Sequence, residues 1–240
     1  MEVKDLEGKI INADCMDILK QLPDKCIDLV LTDPPYGINY DKHASKVSGQ
    51  KYGRAATNKR TYRATNWDNK TPDKEVFEQI IRVSKNQIIF GGNYIANMLT
   101  NTRCWLVWNK KGDGRYSNNF ADGELAWTSF DKPVKIYNFV YNGMIQEDMK
   151  NKDFRFHPTQ KPTALFERIL ADFCDVQWGG GGIRPVFRLR NNRYCVPPIK
   201  TPLYLHRKRP RVLGQKRRAV KGRTSAVAII LGPTQKRLNA

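Results

Sequence analysis

At 240 residues the chain has room for one sizeable α/β domain with a small insertion, and its apolar runs are only strand length, which excludes a helical membrane span. Its five cysteines (Cys15, Cys26, Cys104, Cys174, Cys195) form no C-x-x-C pair, so neither a zinc site nor a disulfide framework is suggested; with no apolar signal core in residues 1–7, a reducing cytoplasm is the expected setting. The net charge of +19 points toward nucleic acid, but residues 176–240 hold 16 of the 42 Lys/Arg and no Asp or Glu, leaving 26 basic against 23 acidic residues, a net of +3, in residues 1–175.

Residues 9–12 read as a short strand ending at Ala13-Asp14-Cys15. Residues 16–21 read as one or two helical turns with Met16, Ile18, Leu19 and Leu22 as the apolar positions and Pro23-Asp24 as the stop. Residues 26–31 are apolar except for Asp28, the pattern of a strand covered on both faces in a parallel sheet. Asp33-Pro34-Pro35-Tyr36-Gly37 then breaks that strand. The two prolines remove two backbone donors and fix φ at about −65°, so the chain leaves the sheet as a stiff shelf. Asp33 and Tyr36 project from the carboxyl end of a strand, where open α/β sheets put ligands. An ordinary turn carries the same letters, so the remaining motifs must decide.

From residue 38 to about 70 apolar periodicity vanishes. Lys42, His43, Lys46, Lys51, Arg54, Lys59, Arg60 and Arg63 alternate with Tyr40, Tyr52, Tyr62 and Trp67. A loop this long is functional or disordered, and basic residues among aromatics suit phosphate contact with base stacking; a merely solvated loop would look the same. Residues 73–83 form an amphipathic helix pattern through Val76, Phe77, Ile80 and Ile81. Residues 86–94 are a strand opening into the Gly91-Gly92 turn, and 95–99 a short helix. Strands follow at 103–110 and 124–130, around a polar loop at 111–119, with a further short strand at 134–139 and a charged loop at 147–154. His157-Pro158-Thr159-Gln160-Lys161-Pro162 leads into a helix over 163–173, whose Leu165, Phe166, Ile169 and Leu170 share a face; Pro162 or Thr163 suits its start. There are no internal repeats.

In this order, Asp14-Cys15, Asp33-Pro34-Pro35-Tyr36-Gly37, Phe90-Gly91-Gly92-Asn93, Trp108-Asn109-Lys110, Glu124-Leu125-Ala126-Trp127-Thr128 and His157-Pro158-Thr159-Gln160-Lys161-Pro162 make residues 1–175 resemble a β-class DNA amino-methyltransferase. The family is the compact DNA methylase N-4/N-6 group of phages and bacterial restriction systems. The resemblance implies an α/β fold, the three-layer S-adenosylmethionine-dependent methyltransferase fold, with a mostly parallel seven-stranded sheet. It implies that Asp33 and the Pro34 carbonyl accept the two protons of a base's exocyclic amine, which turns the nitrogen lone pair toward the methyl of S-adenosylmethionine. Positioning for in-line transfer then supplies most of the catalysis. The partner is double-stranded DNA with a flipped target base; Pro35 belongs to the shelf and Tyr36 gives the base an aromatic face. Asp in the first place favours adenine N6, since cytosine-N4 enzymes more often carry Ser there.

For the cofactor, the resemblance implies Asp14, with Cys15 beside it, at the adenine amine, although an N-cap for the following helix is equally good chemistry for Asp14. Asp33 borders the same pocket, and Thr159 and Lys161 are candidate contacts. Lys42, Lys46, Lys51, Arg54, Lys59, Arg60 and Arg63 fall to the target-recognition surface. No metal is implied, His43 and His206 have no plausible partner, and a homodimer is left open.

The resemblance stops after the 163–173 helix. The family continues with a strand and an Asp-Pro-Phe-x-Gly-Ser-Gly-Thr loop around the methionine part of the cofactor; here the chain reads Val176-Gln177-Trp178-Gly179-Gly180-Gly181-Gly182-Ile183-Arg184-Pro185. A reading-frame shift accounts for the break. Residues 183–193 can be encoded so that the string one base later gives Phe-Asp-Pro-Phe-Ser-Gly-Ser-Gly-Thr-Thr. Residues 206–214 can likewise yield Ile-Glu-Lys-Asp-Pro-Glu-Tyr-Trp, the acidic strand end expected at the cofactor's ribose. The shift also explains why acids vanish, where ordinary usage would supply roughly seven or eight. Residues 176–240 are therefore expected to be an irregular, frameshifted basic tail that leaves the sheet incomplete and the cofactor pocket half-built. The alternatives are a genuine basic extension, a cytosine-N4 enzyme, and a catalytically dead DNA-binding remnant.

Overall fold

The computed structural model of the chain describes residues 6, 11, 13–40, 67–114, 121–142, 145–153, 159–173 and, as backbone, 186–190. The first helix, α1 (Cys15–Leu19), begins where the Asp14 carboxylate accepts the Met16 N–H at 2.9 Å. The N-cap chemistry anticipated for Asp14 is thus present. Strand β1 (Ile27–Asp33) follows and ends at the Pro34-Pro35 shelf. Helix α2 (Lys74–Val83) starts after Asp73 and runs directly into β2 (Ser84–Phe90). Arg82 of α2 donates to the Leu19 and Leu22 carbonyls, both at 2.8 Å, and so closes the end of α1.

Two 3-10 turns, Gly92–Tyr94 and Ala96–Met98, replace the single short helix expected over 95–99. The reason is local: Gly91 adopts φ 69°, which turns the chain sharply after β2 before any α-helical turn can start. Then come β3 (Trp105–Asn109), β4 (Gly123–Thr128) and β5 (Lys135–Asn138), a two-stranded ribbon of β6 (Tyr141–Asn142) and β7 (Ile145–Gln146), helix α3 (Thr163–Phe173), and β8 (Val186–Arg190).

The main sheet runs β5-β3-β4-β2-β1-β8. Neighbours are parallel except where β4 meets β2 and β3, so β4 alone runs against the rest among the described strands. β-strand alternation sends Val30 and Ile89 to one face and Leu29, Leu31, Ile88 and Phe90 to the other. The first face is covered by Leu19, Phe77, Ile80 and Val83 of α1 and α2; the second by Leu165, Phe166, Ile169 and Phe173 of α3. Helices on both faces of a mixed sheet make three layers, as expected.

The strand expected at 9–12 falls outside the described residues except for Ile11, as does the loop over 41–66. The expectation that residues 176–240 are irregular is corrected for five of them: β8 lies parallel to β1, from Leu29↔Val186 to Asp33↔Arg190. Val186-Phe187-Arg188-Leu189-Arg190 is rich in strand-forming residues, and β1 would otherwise end the sheet with an unpaired row of N–H and C=O groups. The rest of that stretch lies outside the described residues.

Phe77 is fully buried between α2 and the sheet. Phe77→Ala is expected to cost about 3–5 kcal/mol in urea unfolding, because the sheet cannot collapse into the space left. A loss below about 1 kcal/mol would remove Phe77 from the core.

Candidate active site

The site grows from the end of β1. Pro34 and Pro35 carry the chain off the sheet, with Pro35 buried. The backbone is then gathered by a remote carboxylate: Asp68 Oδ1 accepts the N–H groups of Tyr36 at 2.8 Å and Gly37 at 2.9 Å, and Oδ2 accepts that of Tyr40 at 3.0 Å. So fixed, the Tyr36 hydroxyl donates to Asp33 Oδ1 at 2.8 Å. Its ring stacks on Tyr94 with centroids 4.9 Å apart and planes 15° from parallel. Gly91 makes room for it, since a Cβ there would lie 2.0 Å from Tyr36 Cε1.

Lys161 enters from the segment before α3. Its ammonium lies 2.7 Å from Asp33 Oδ1, 3.0 Å from Glu124 Oε2 and 3.1 Å from the Tyr36 hydroxyl. Three partners match its three N–H donors. The side chain is 3% exposed, and the ammonium sits 5.0 Å from the centre of the Phe90 ring. Glu124, on β4, uses Oε1 to accept from Lys110 at 2.8 Å, and Lys110 in turn lies 5.2 Å from the Trp108 ring centre. The β3–β4 register, Trp108↔Glu124, brings these residues side by side.

Burial would raise the Glu124 carboxyl, but Lys161 and Lys110 overcome it and hold the group at about 2, against an ordinary 4.5. Burial likewise disfavours the Lys161 charge, and Asp33 and Glu124 outweigh it, so the ammonium is held above its usual range. Burial first, then the Asp33 and Glu124 charges, push the Tyr36 phenol well above its ordinary 10. Tyr36 therefore stays a neutral donor and Lys161 a cation across the physiological range.

Asp33 Oδ1 is thus engaged twice. Its Oδ2 and the Pro34 carbonyl accept no hydrogen bond among the described residues, and the Asp33 side chain is 26% exposed. Two adjacent acceptors remain at the carboxyl end of β1, suited to a ligand with two N–H donors on one atom.

The other expected site residues fare differently. The hydrogen bonds that gather Asp33, Tyr36, Glu124 and Lys161 do not reach Asp14 or Cys15. Asp14 caps α1, and Cys15 packs with the apolar cluster around Ile18 and Leu19. Burial, followed by the Asp14 charge, pushes the Cys15 thiol up to about 11, so it is a packing group rather than a nucleophile. Thr159 is half-buried ahead of Lys161. The seven basic residues assigned to DNA lie within 41–66, outside the described residues. Lys161, expected beside a cofactor, directs its ammonium inward. Sequence reasoning missed Asp68, Tyr94, Lys110 and Glu124 as site residues. Glu124 and Lys110 stand in two of the motifs that carry the resemblance, without a role assigned to either; Asp68 carried no signal beyond ordinary turn letters.

Among the described residues no group of His, Cys, Asp and Glu could hold a metal ion, and no helix is long and apolar enough to cross a membrane. No protein-family model matches the chain. Over 204 residues, 69% of this chain, it is 27% identical to the Type II methyltransferase M.HpaI of Haemophilus parainfluenzae, and it spans 59% of that protein's length. Among solved structures it is similar to TTHA0409 of Thermus thermophilus, provisionally described as a DNA modification methylase, with a TM-score of 0.35 and 13% identity over 74% of this chain and 77% of that one. At that score the likeness carries no argument.

Because the Glu124 pKa is depressed by folding, its contribution to stability is complete above pH 4.5 and is lost as pH falls toward about 2. The Lys161 contribution is complete below its ordinary 10.5 and is lost only as pH rises through its higher folded value. Glu124→Gln is expected to flatten the acid limb of urea-unfolding stability between these acid limits and to lower the neutral plateau by about 3 kcal/mol. An acid limb as steep as that of the parent chain would contradict this assignment.

Proposed function

We propose that residues 1–175 form a DNA amino-methyltransferase domain that transfers a methyl group from S-adenosylmethionine to the exocyclic N6 of adenine. The observation that carries this reading is the pair of unpartnered acceptors, Asp33 Oδ2 and the Pro34 carbonyl, held at the end of β1. The likeness to a Type II methyltransferase adds support. An exocyclic amine is a poor nucleophile because its lone pair is delocalised into the ring. Accepting a hydrogen bond from each of its two N–H groups favours a tetrahedral nitrogen and frees that lone pair, and the one proton the nitrogen releases on methylation can pass to the same carboxylate.

In this reading Lys161 is a positioning residue rather than a cofactor contact. It fixes the Asp33 carboxylate with Oδ1 inward, which turns Oδ2 toward the amine. Double-stranded DNA with its target base flipped out is the substrate, and Lys42, Lys46, Lys51, Arg54, Lys59, Arg60 and Arg63 supply phosphate contacts. Tyr94 now covers one face of the Tyr36 ring. Stacking a base on that face requires the displacement of Tyr94, a 47% exposed side chain on a three-residue turn.

S-adenosylmethionine, when bound, supplies an electrophilic methyl on a sulfonium. The donor set suits one end of that molecule better than the other. Asp14, with Cys15 beside it, would hold the adenine end, and Thr159 is a further candidate contact. No glycine-rich N–H cradle for the methionine end occurs among the described residues, and Gly179-Gly180-Gly181-Gly182 stands in the sequence where that loop is expected. We therefore propose a frameshift from about residue 177 and weak methyl transfer by this chain.

The full chain and a frame-repaired version, each incubated with DNA and methyl-labelled S-adenosylmethionine, provide the test. The repaired chain is expected to yield N6-methyladenine by nucleoside mass spectrometry, Asp33→Asn in it to lose about 100-fold or more in rate, and the present chain to transfer little. N4-methylcytosine as the product would overturn the adenine assignment, and no transfer by the repaired chain would overturn the reaction.

A further inference from the structure

Asp68 has a role that its sequence neighbours do not announce. It is 1% exposed, and it is far in sequence from every group it binds here. Besides the three N–H groups on its carboxylate, its main-chain carbonyl accepts the Asn39 N–H at 2.8 Å. Gly37 at φ 73° and Asn39 at φ 55° are both left-handed, which curls the segment so that its N–H groups converge. Such a backbone nest binds anions, and here the anion is the chain's own carboxylate. The segment returning from the loop also packs on this turn, since a Cβ at Gly37 would meet the Thr71 nitrogen at 3.1 Å.

Two consequences follow from this placement. Tyr40 and Asp68, 28 positions apart, meet at this one carboxylate. The same carboxylate holds the Tyr36 and Gly37 N–H groups, and Tyr36 is the residue whose hydroxyl meets Asp33.

We propose that Asp68 is a positioning residue for the base-amine site, holding Tyr36 against Asp33 and tying that geometry to Tyr40. Its functional meaning rests on the reading of Asp33 to Tyr36 as that site. Its geometric content stands alone.

The test is tyrosine Cζ NMR of the full chain labelled with 13C, with the Tyr36 signal assigned by Tyr36→Phe. In the parent chain Tyr36 is expected to remain untitrated where ordinary tyrosines ionise, at about pH 10. Asp68→Ala is expected to bring the Tyr36 titration down to that ordinary range while leaving the other tyrosine signals in place. Asp68→Asn keeps one carbonyl oxygen for the Tyr36 and Gly37 N–H groups and is expected to restore the untitrated signal. A Tyr36 signal untouched by Asp68→Ala, or an Asn variant that behaves like the Ala variant, overturns the proposal. Should Asp68→Ala not fold, amide hydrogen exchange on Asp68→Asn decides. Exchange about tenfold faster at Tyr40 with Tyr36 and Gly37 still protected supports the role, and a uniform change at all three overturns it. Neither readout involves methyl transfer, so failure here and failure of the proposed reaction are separate results.

Discussion

The structure of the site depends on one buried cation. The Lys161 ammonium sits between Asp33 and Glu124 with its side chain 3% exposed, and it holds these two carboxylates and the Tyr36 hydroxyl together. An unpaired ammonium at that depth would be strongly unfavourable, and so would two neighbouring carboxylates without it. Five of the six family-like motifs meet in the arrangement, and Asp14-Cys15 stands apart from it. Asp33 and Tyr36 come from the shelf after β1, and the Phe90 ring and the space at Gly91 come from the end of β2. Lys110 comes from the end of β3, Glu124 from β4, and Lys161 from the approach to α3. Motifs spread over more than half the chain meet because β1, β2, β4 and β3 are consecutive neighbours in the sheet.

This arrangement also divides labour on a single carboxylate. Asp33 Oδ1 is held by Lys161 and Tyr36, so the carboxylate is oriented before a ligand arrives. Pre-orientation of that kind lowers the entropic cost of binding a small polar group. The charges within the cluster balance, two carboxylates against Lys161 and Lys110. The neutral, high-pKa phenol of Tyr36 keeps its donor role fixed over a wide pH range.

Much of the fold was legible in the residues for plain reasons. β1 is apolar enough to require cover on both faces, and the amphipathic 73–83 and 163–173 stretches provide it. The cap at Asp14 follows from its place before a helix. Of the site, the Asp33-Pro34-Pro35-Tyr36 shelf was legible because two prolines must break a strand. Its supports were not, because Glu124, Lys110 and Asp68 acquire meaning only through contacts made across the sheet or the loop. Lys161 is marked by its motif but its pairing with Asp33 is not, since spacing along the chain does not fix where a flexible ammonium points. β8 escaped notice because a short apolar stretch in a basic tail becomes a strand only when an edge such as β1 offers it partners.

The most direct test of the account is a double-mutant cycle on the buried cation, with Lys161→Met, Glu124→Gln and the pair compared by urea unfolding at neutral pH. If the ion pair organises the site, each single change leaves a partner stranded, and the double change relieves part of the cost. The account predicts a coupling energy of about 1–3 kcal/mol between the two positions. Effects that add to within about 0.5 kcal/mol would contradict it, because residues that do not share an interaction are the ones that behave independently.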